Sequence, residues 1–170
     1  IKAGADAFIS KPLFKSKILH VLELFCTAKI PTPAEIGLEL KAPDLCGRRI
    51  LLAEDNELNR EIAVELLSMH GLLVDTAENG AEAVHCFEAS APGYYTAVLM
   101  DIQMPVMDGY QATAAIRRLP RQDAKTLPII ALSANVFVTD VKSAQAAGMN
   151  DHIAKPIDID GLIAILRQYI

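Results

Sequence analysis

Glu54 and Asp55 are adjacent acids closing an apolar run, and Asp101 closes another. Three carboxylates brought into one place repel, and at least one is driven toward its neutral form unless a cation sits among them. A hard divalent ion such as Mg²⁺ suits oxygen-only ligands and keeps several of its waters. Asp55 and Asp101 are the natural direct ligands, with Glu54 acting through water. Lys155 adds a mobile positive charge and Ser133 a hydroxyl donor. Together these are the parts for stabilising a phosphoryl group as it passes to an aspartate oxygen. A single acid at the end of an apolar run reads as a solvated loop cap. Five such groups, each ending an apolar run, do not.

The elements that must carry these groups follow from periodicity. Arg49–Ala53 reads as a buried parallel strand. Asn56 caps a helix in which Leu58, Ile62, Leu66 and Met69 recur at helical spacing, and Gly71 stops it. The alternation continues with strands over Leu72–Ala77, Thr96–Asp101, Pro128–Leu132 and Asp151–Ala154. Helices are expected over Asn79–Ala89, Tyr110–Arg118, Thr139–Ala147 and Ile159–Ile170, the third of them closed by Gly148. Parallel strands need crossover connections, so five βα units predict a doubly wound α/β fold, (βα)5, with a flavodoxin-like five-stranded parallel sheet in the order 2-1-3-4-5. In such sheets function gathers at the carboxyl ends of the strands, beside the switch point between strands one and three. Glu54, Asp55 and Asp101 belong there.

The stretches LLAEDNELNR, LMDIQMPVMDGYQA, IIALSAN and HIAKP occur in this order on these elements. Together they resemble the receiver domain of response regulators from about Arg48 to Ile170. The resemblance implies that Asp101 is the phosphoacceptor and that Glu54 and Asp55 form the acidic pocket for Mg²⁺, with the backbone carbonyl of Gln103 as a further ligand. It implies that Ser133 hydrogen-bonds the phosphoryl oxygen, that Lys155 pairs with it, and that the Lys155–Pro156 peptide is cis. Such a domain takes its phosphoryl group from a histidine kinase core, assists its own phosphorylation and dephosphorylation, and passes the group to a histidine phosphotransfer domain. EDNELNR, MDIQMPVMDG and ALSAN are similar to receivers fused to hybrid sensor histidine kinases, so the parent chain is expected to be a histidine protein kinase, although the fragment carries no kinase ATP-binding motif. One position departs from the family. Three residues before the lysine the family places Tyr or Phe, and here stands His152. That is either a tolerated surface-facing substitution or a pH-sensitive, weakened aromatic switch.

Rival readings are a fragment of a stand-alone or DNA-binding response regulator, a pseudo-receiver used for docking, and an aspartate-nucleophile phosphatase. The last wants a second Asp two residues after the nucleophile, where this chain has Gln103. His20, His70 and His85 read as surface or boundary residues without partners, and none has the setting of a phosphodonor. Met104 and Met107 read as loop packing, and Gly109 as relief of backbone strain in that loop.

Residues 1–47 stand outside the alternation but contain a repeat. Ala3-Gly4 matches Ala147-Gly148, and in that register Ile9 meets Ile153, Lys11-Pro12 meets Lys155-Pro156, and Leu22 meets Leu166. Residues 1–28 are therefore expected to be the last strand and helix of a preceding receiver-like domain, joined by a linker over 29–47 to the receiver at 48–170. Phe14, Ile18, Val21, Leu22 and Phe25 would form an apolar face needing cover, on the receiver or in a homodimer through residues 1–28. The start at Ile1 suggests a piece of a longer chain.

With 170 residues, 52% hydrophobic and 22% charged, the chain has the composition of a folded domain. A net charge of −5 has the wrong sign for a backbone-reading nucleic-acid binder. No apolar run approaches the ~20 residues of a membrane helix, and no signal peptide opens the chain. Cys26, Cys46 and Cys86 are scattered and read as free thiols of a reducing compartment. A cytoplasmic location is the expectation, with any inner-membrane anchor left to the parent.

Overall fold

The computed structural model describes residues 45–134 and 138–170, with backbone alone for 138–142. The expected repeat over 1–28 and nearly all of the linker lie outside the described residues. Within them the chain runs β1 (Arg49–Ala53), α1 (Glu57–Met69), β2 (Leu73–Ala77), α2 (Gly80–Ala89), β3 (Ala97–Asp101), α3 (Gly109–Arg118), α4 (Gln122–Thr126), β4 (Ile129–Ser133), α5 (Val138–Ala147), β5 (Asp151–Ala154) and α6 (Ile159–Tyr169). The strands pair in parallel in the order β2-β1-β3-β4-β5, as the alternation predicts. β3 and β4 are buried along their whole lengths, which is why they read as unbroken apolar runs.

Side-chain alternation divides the core between the two sheet faces. Leu51, Ala53, Val98, Met100, Ile129 and Ala131 face a layer containing Phe87 of α2 and Ile116 of α3. Ile50, Leu52, Leu99, Ile130, Leu132 and Ile153 face Leu67 of α1 and Leu162 and Leu166 of α6. Each large apolar side chain buried this way contributes about 1.5–3 kcal/mol. Asn56, Asn79 and Asp108 cap α1, α2 and α3, each side chain accepting the backbone N–H three residues on.

Several expectations are corrected. The periodic row of α1 is not the face the helix buries: Leu58, Ile62 and Met69 are 65%, 50% and 77% exposed, and Ala63 and Leu67 pack on the sheet instead. α1 carries two apolar rows, and the one containing small Ala63 lets the helix approach closely. At the start of the described residues Leu45 is buried in the core and the Gly47 N–H donates to the Gly71 carbonyl at 2.8 Å. His70 is not partnerless, since its Nδ1 lies 2.9 Å from the Leu66 carbonyl oxygen. The short helix α4 has no counterpart in the sequence periodicity.

Two arginines organise the region around α4. Arg121 donates to the carbonyls of Phe87 (2.7 Å) and Ser90 (2.8 Å), pairs with Asp123 and lies over the Phe87 ring. Its hydrogen bonds hold the Asp123 carboxyl down at about 2. Arg117 joins three segments, donating to the Ala124 carbonyl (2.7 Å), the Gly148 carbonyl (3.0 Å) and Asn150 Oδ1 (2.8 Å).

The β3–α3 loop also differs from its sequence reading. The left-handed residue there is Val106, with φ of 68°, and not Gly109. Glycine is needed at 109 for proximity, because a Cβ there would collide with the backbone carbonyl of Asp101. Gly109→Ala should therefore lower stability by about 1–3 kcal/mol. Val106→Asn should raise it by about 1 kcal/mol, since a β-branched residue tolerates left-handed backbone poorly and Asn tolerates it well. Urea denaturation reads both, and a lowered midpoint for Val106→Asn would contradict the strain at that position.

Candidate functional site

β1 and β3 are hydrogen-bonded neighbours, so their carboxyl ends open into one crevice. Glu54 continues the line of β1, its N–H donating to the Ala77 carbonyl at 3.0 Å, and Asp101 is the last residue of β3. Carboxylate oxygens of Glu54, Asp55 and Asp101 all lie within 4.8 Å of one another. Glu54 and Asp101 are buried, 2% and 4% exposed, while Asp55 faces solvent. All five residues expected from the strand ends thus sit at this end of the sheet.

Lys155 reaches the acids from the far side of β4. Ser133, at the end of β4, pairs with Ala154 of β5, and the Lys155 N–H donates to the Ser133 carbonyl at 2.7 Å. The Lys155–Pro156 peptide is cis, as the resemblance implies. Lys155 Nζ stands 2.6 Å from Asp101 Oδ2 and 2.5 Å from Glu54 Oε2. Burial alone would lower its pKa, but the hydrogen bonds it donates to the two carboxylates outweigh that and hold the ammonium above its ordinary value. For Asp101 burial prevails: its carboxyl is raised above the usual carboxylate range, against the opposing hydrogen bond from Lys155. The Gln103 N–H donates to the other carboxylate oxygen, Oδ1, at 3.2 Å. Ser133 is 6% exposed and lies one residue beyond Leu132, the partner of Asp101 across β3 and β4.

His152 lies elsewhere. Ile153 packs into the α1/α6 face of the sheet, and alternation turns His152 the other way, into a cleft it shares with Ala144, Gln145 and Met149. Its ring Nδ1 is 3.7 Å from Asp151 Oδ1. Met104 and Met107 pack against the α2/α3 side of the core, as expected of loop packing.

Two residues escaped the sequence reading. Asn59 Nδ2 donates to Glu54 Oε1 at 3.2 Å, and Arg60 donates to the Glu54 carbonyl at 2.9 Å while pairing with Glu78. Both lie in the first turn of α1, inside the stretch EDNELNR, where spacing alone points to helix capping and not to a reach toward Glu54. Beside Asn59 a groove opens between α1 and the β5–α6 loop, lined by Ile62, Leu66, Pro156 and Ile157.

The donor set fits a hard cation. Every candidate ligand atom is oxygen, the acids are negative and closely spaced, and Lys155 already supplies positive charge between two of them. Among the described residues no helix is long and apolar enough to cross a membrane.

Comparison with known proteins agrees with this geometry. The chain is 40% identical over 132 residues to hybrid signal transduction histidine kinase B of Dictyostelium discoideum, covering 72% of this chain and 7% of that kinase. It thus spans a small part of that relative's length. The receiver domain of a sensor histidine kinase of Pseudomonas aeruginosa PAO1 was solved with a magnesium ion coordinated in its active-site cleft. It superposes with a TM-score of 0.65 at 39% identity, covering 73% of this chain and 98% of that one. The receiver domain of the Saccharomyces cerevisiae regulator Ssk1, solved in complex with the histidine phosphotransfer protein Ypd1, superposes with a TM-score of 0.66 at 28% identity, covering 74% and 90%. Residues 50–167 match the response regulator receiver domain, and the chain belongs to that family.

Proposed function

We propose that Asp101 accepts a phosphoryl group from a phosphohistidine and surrenders it to a histidine phosphotransfer domain, within a hybrid sensor histidine kinase. The observation that carries this reading is the Lys155 ammonium set between Asp101 and Glu54 in a buried acid cluster. An Asp101 carboxylate oxygen attacks phosphorus as the phosphorus–nitrogen bond of the donor breaks. The bonding pair stays on the ring nitrogen, which takes a proton from solvent. Lys155 and Ser133 receive the charge on the incoming phosphoryl oxygens. Mg²⁺ would be held by Asp55, Asp101 and the Gln103 carbonyl, with Glu54 acting through water, and would neutralise phosphoryl charge.

The hybrid kinase reading draws support from two of the relatives named above, one a hybrid kinase and one a sensor kinase receiver, while the response regulator Ssk1 keeps the free-standing regulator as the alternative. On that reading residues 1–28 end a preceding receiver-like domain, 29–47 link it, and the whole faces the cytoplasm. A phosphohistidine protein must bring its imidazole to Asp101, and the exposed apolar residues Leu58 and Ile62, one helical turn apart on α1 near the site, supply a face for it. The Ssk1 receiver in complex with Ypd1 supports a histidine phosphotransfer partner.

With Mg²⁺ and acetyl phosphate, one phosphoryl group should add at Asp101, and Asp101→Asn should abolish it. Asp55→Asn should weaken Mg²⁺ binding, and Lys155→Ala should leave metal binding largely intact while uncoupling phosphorylation from conformational change. Undiminished labelling of Asp101→Asn would defeat the assignment.

Ile62→Asp should slow transfer from a phosphohistidine protein at least tenfold, an interface loss of about 1.4 kcal/mol or more, while labelling by acetyl phosphate is unchanged. Equal loss with both donors would remove α1 from the docking face.

If His152 acts as the switch residue, beryllofluoride should change the environment of its ring together with that of Ser133. Identical His152 ring signals in the free and mimic-bound protein would exclude it.

A further inference from the structure

EDNELNR contains more than an acid pair and a helix cap. Asn56 caps α1 by accepting the N–H of Asn59 at 3.0 Å, which fixes Asn59 at the third position of the helix. A side chain there commonly reaches back to the cap residue. Asn59 instead reaches past the cap, and its Nδ2 meets Glu54 Oε1 at 3.2 Å. The other oxygen of the same carboxylate, Oε2, is the one on Lys155. Arg60 grips the preceding backbone through the Glu54 carbonyl at 2.9 Å and the Asp55 carbonyl at 3.4 Å. The first turn of α1 therefore holds the β1–α1 turn twice, Arg60 by the main chain and Asn59 by the carboxylate.

The two partners of Glu54 differ in permanence. On the phosphoacceptor reading, on which this inference rests, Lys155 turns to the phosphoryl group once Asp101 carries it. Glu54 is 2% exposed, and a buried carboxylate stripped of its hydrogen bonds is costly. Asn59 does not compete for the phosphoryl group, so its bond to Oε1 is the one that persists. An amide suits the place because it donates without adding charge. An aspartate would add a fourth carboxylate to the crowd, and a lysine would compete with the cation.

We propose that Asn59 is a positioning residue for Mg²⁺: it fixes the carboxylate of Glu54 in the orientation the ion requires, in both the free and the phosphorylated domain. Its effect is on the metal and reaches the acceptor only through it.

The test is calorimetric titration of the full 170-residue chain with Mg²⁺, for wild type, Asn59→Ala, Glu54→Gln and the double variant. Asn59→Ala should weaken Mg²⁺ about 10–100-fold, the range for groups that orient metal ligands. Its thermal midpoint without Mg²⁺ should stay within a few degrees of wild type, because alanine is a good helix former. Acetyl phosphate labelling should return to wild-type extent at saturating Mg²⁺. In the Glu54→Gln background Asn59→Ala should cost no further affinity, since the group it orients is gone. Additive losses in the cycle, or an unchanged Mg²⁺ affinity in Asn59→Ala, would overturn the role of Asn59 while leaving the phosphoacceptor reading intact. A wild-type chain that binds no Mg²⁺ would overturn both. Asn59→Gln supplies a second variant: its longer amide should recover part of the affinity, and recovery no greater than that of alanine would count against the hydrogen bond.

Discussion

Glu54 and Asp101 are buried side by side, and the arrangement is tolerable only because the Lys155 ammonium lies between them. Two like charges about 4 Å apart repel by about 4 kcal/mol at the effective dielectric of a protein surface. Lys155 turns that repulsion into two attractions, at 2.5 and 2.6 Å. Its position has topological requirements. β1 and β3 must be neighbours to bring the acids together, and β5 must lie beyond β4 so that a long side chain spans to both. The strand order and the charge pattern are therefore one constraint seen at two scales.

The loop after Asp101 serves the same arrangement through close packing. The backbone at Gly109 lies against the Asp101 carbonyl, and Gly80 at the start of α2 lies against the Met107 carbonyl, where a Cβ would come within 2.5 Å. Asp108 caps α3 from inside this loop. The acceptor is thus backed by the main chain of Gly109, and the loop that follows it by that of Gly80, while the Asp101 side chain is left to carry the chemistry. Val106, left-handed and 85% exposed, is where the loop takes up its strain.

The fold and the five charged or hydroxyl site groups were legible because each is announced by the end of an apolar run, and burial on both faces makes such runs unmistakable. What was not legible depended on rotation or reach. α1 has apolar residues on more than one row, and spacing alone does not say which turns inward; the structure selects Ala63 and Leu67. α4 is short and polar, held by an arginine whose partners are backbone carbonyls over thirty residues away in sequence. The strained residue of the β3–α3 loop was assigned to the nearest glycine, although that glycine answers a steric demand and a valine bears the unusual dihedral. Asn59 was in plain sight in EDNELNR, but an asparagine near a helix start ordinarily reads as local capping chemistry, and its reach to Glu54 is visible only in three dimensions.

Arg117 has a mechanical implication. By binding the carbonyls of Ala124 and Gly148 and the side chain of Asn150, it pins the C-terminal end of α5 to α3. Asn150 Oδ1 also accepts the Ile129 N–H at 2.9 Å, so the pin extends to the start of β4. α5 itself begins five residues after Ser133. Through one guanidinium the close of α5, the region of α4 and the start of β4 share a single tether to α3, so none of them shifts at this end without disturbing the others.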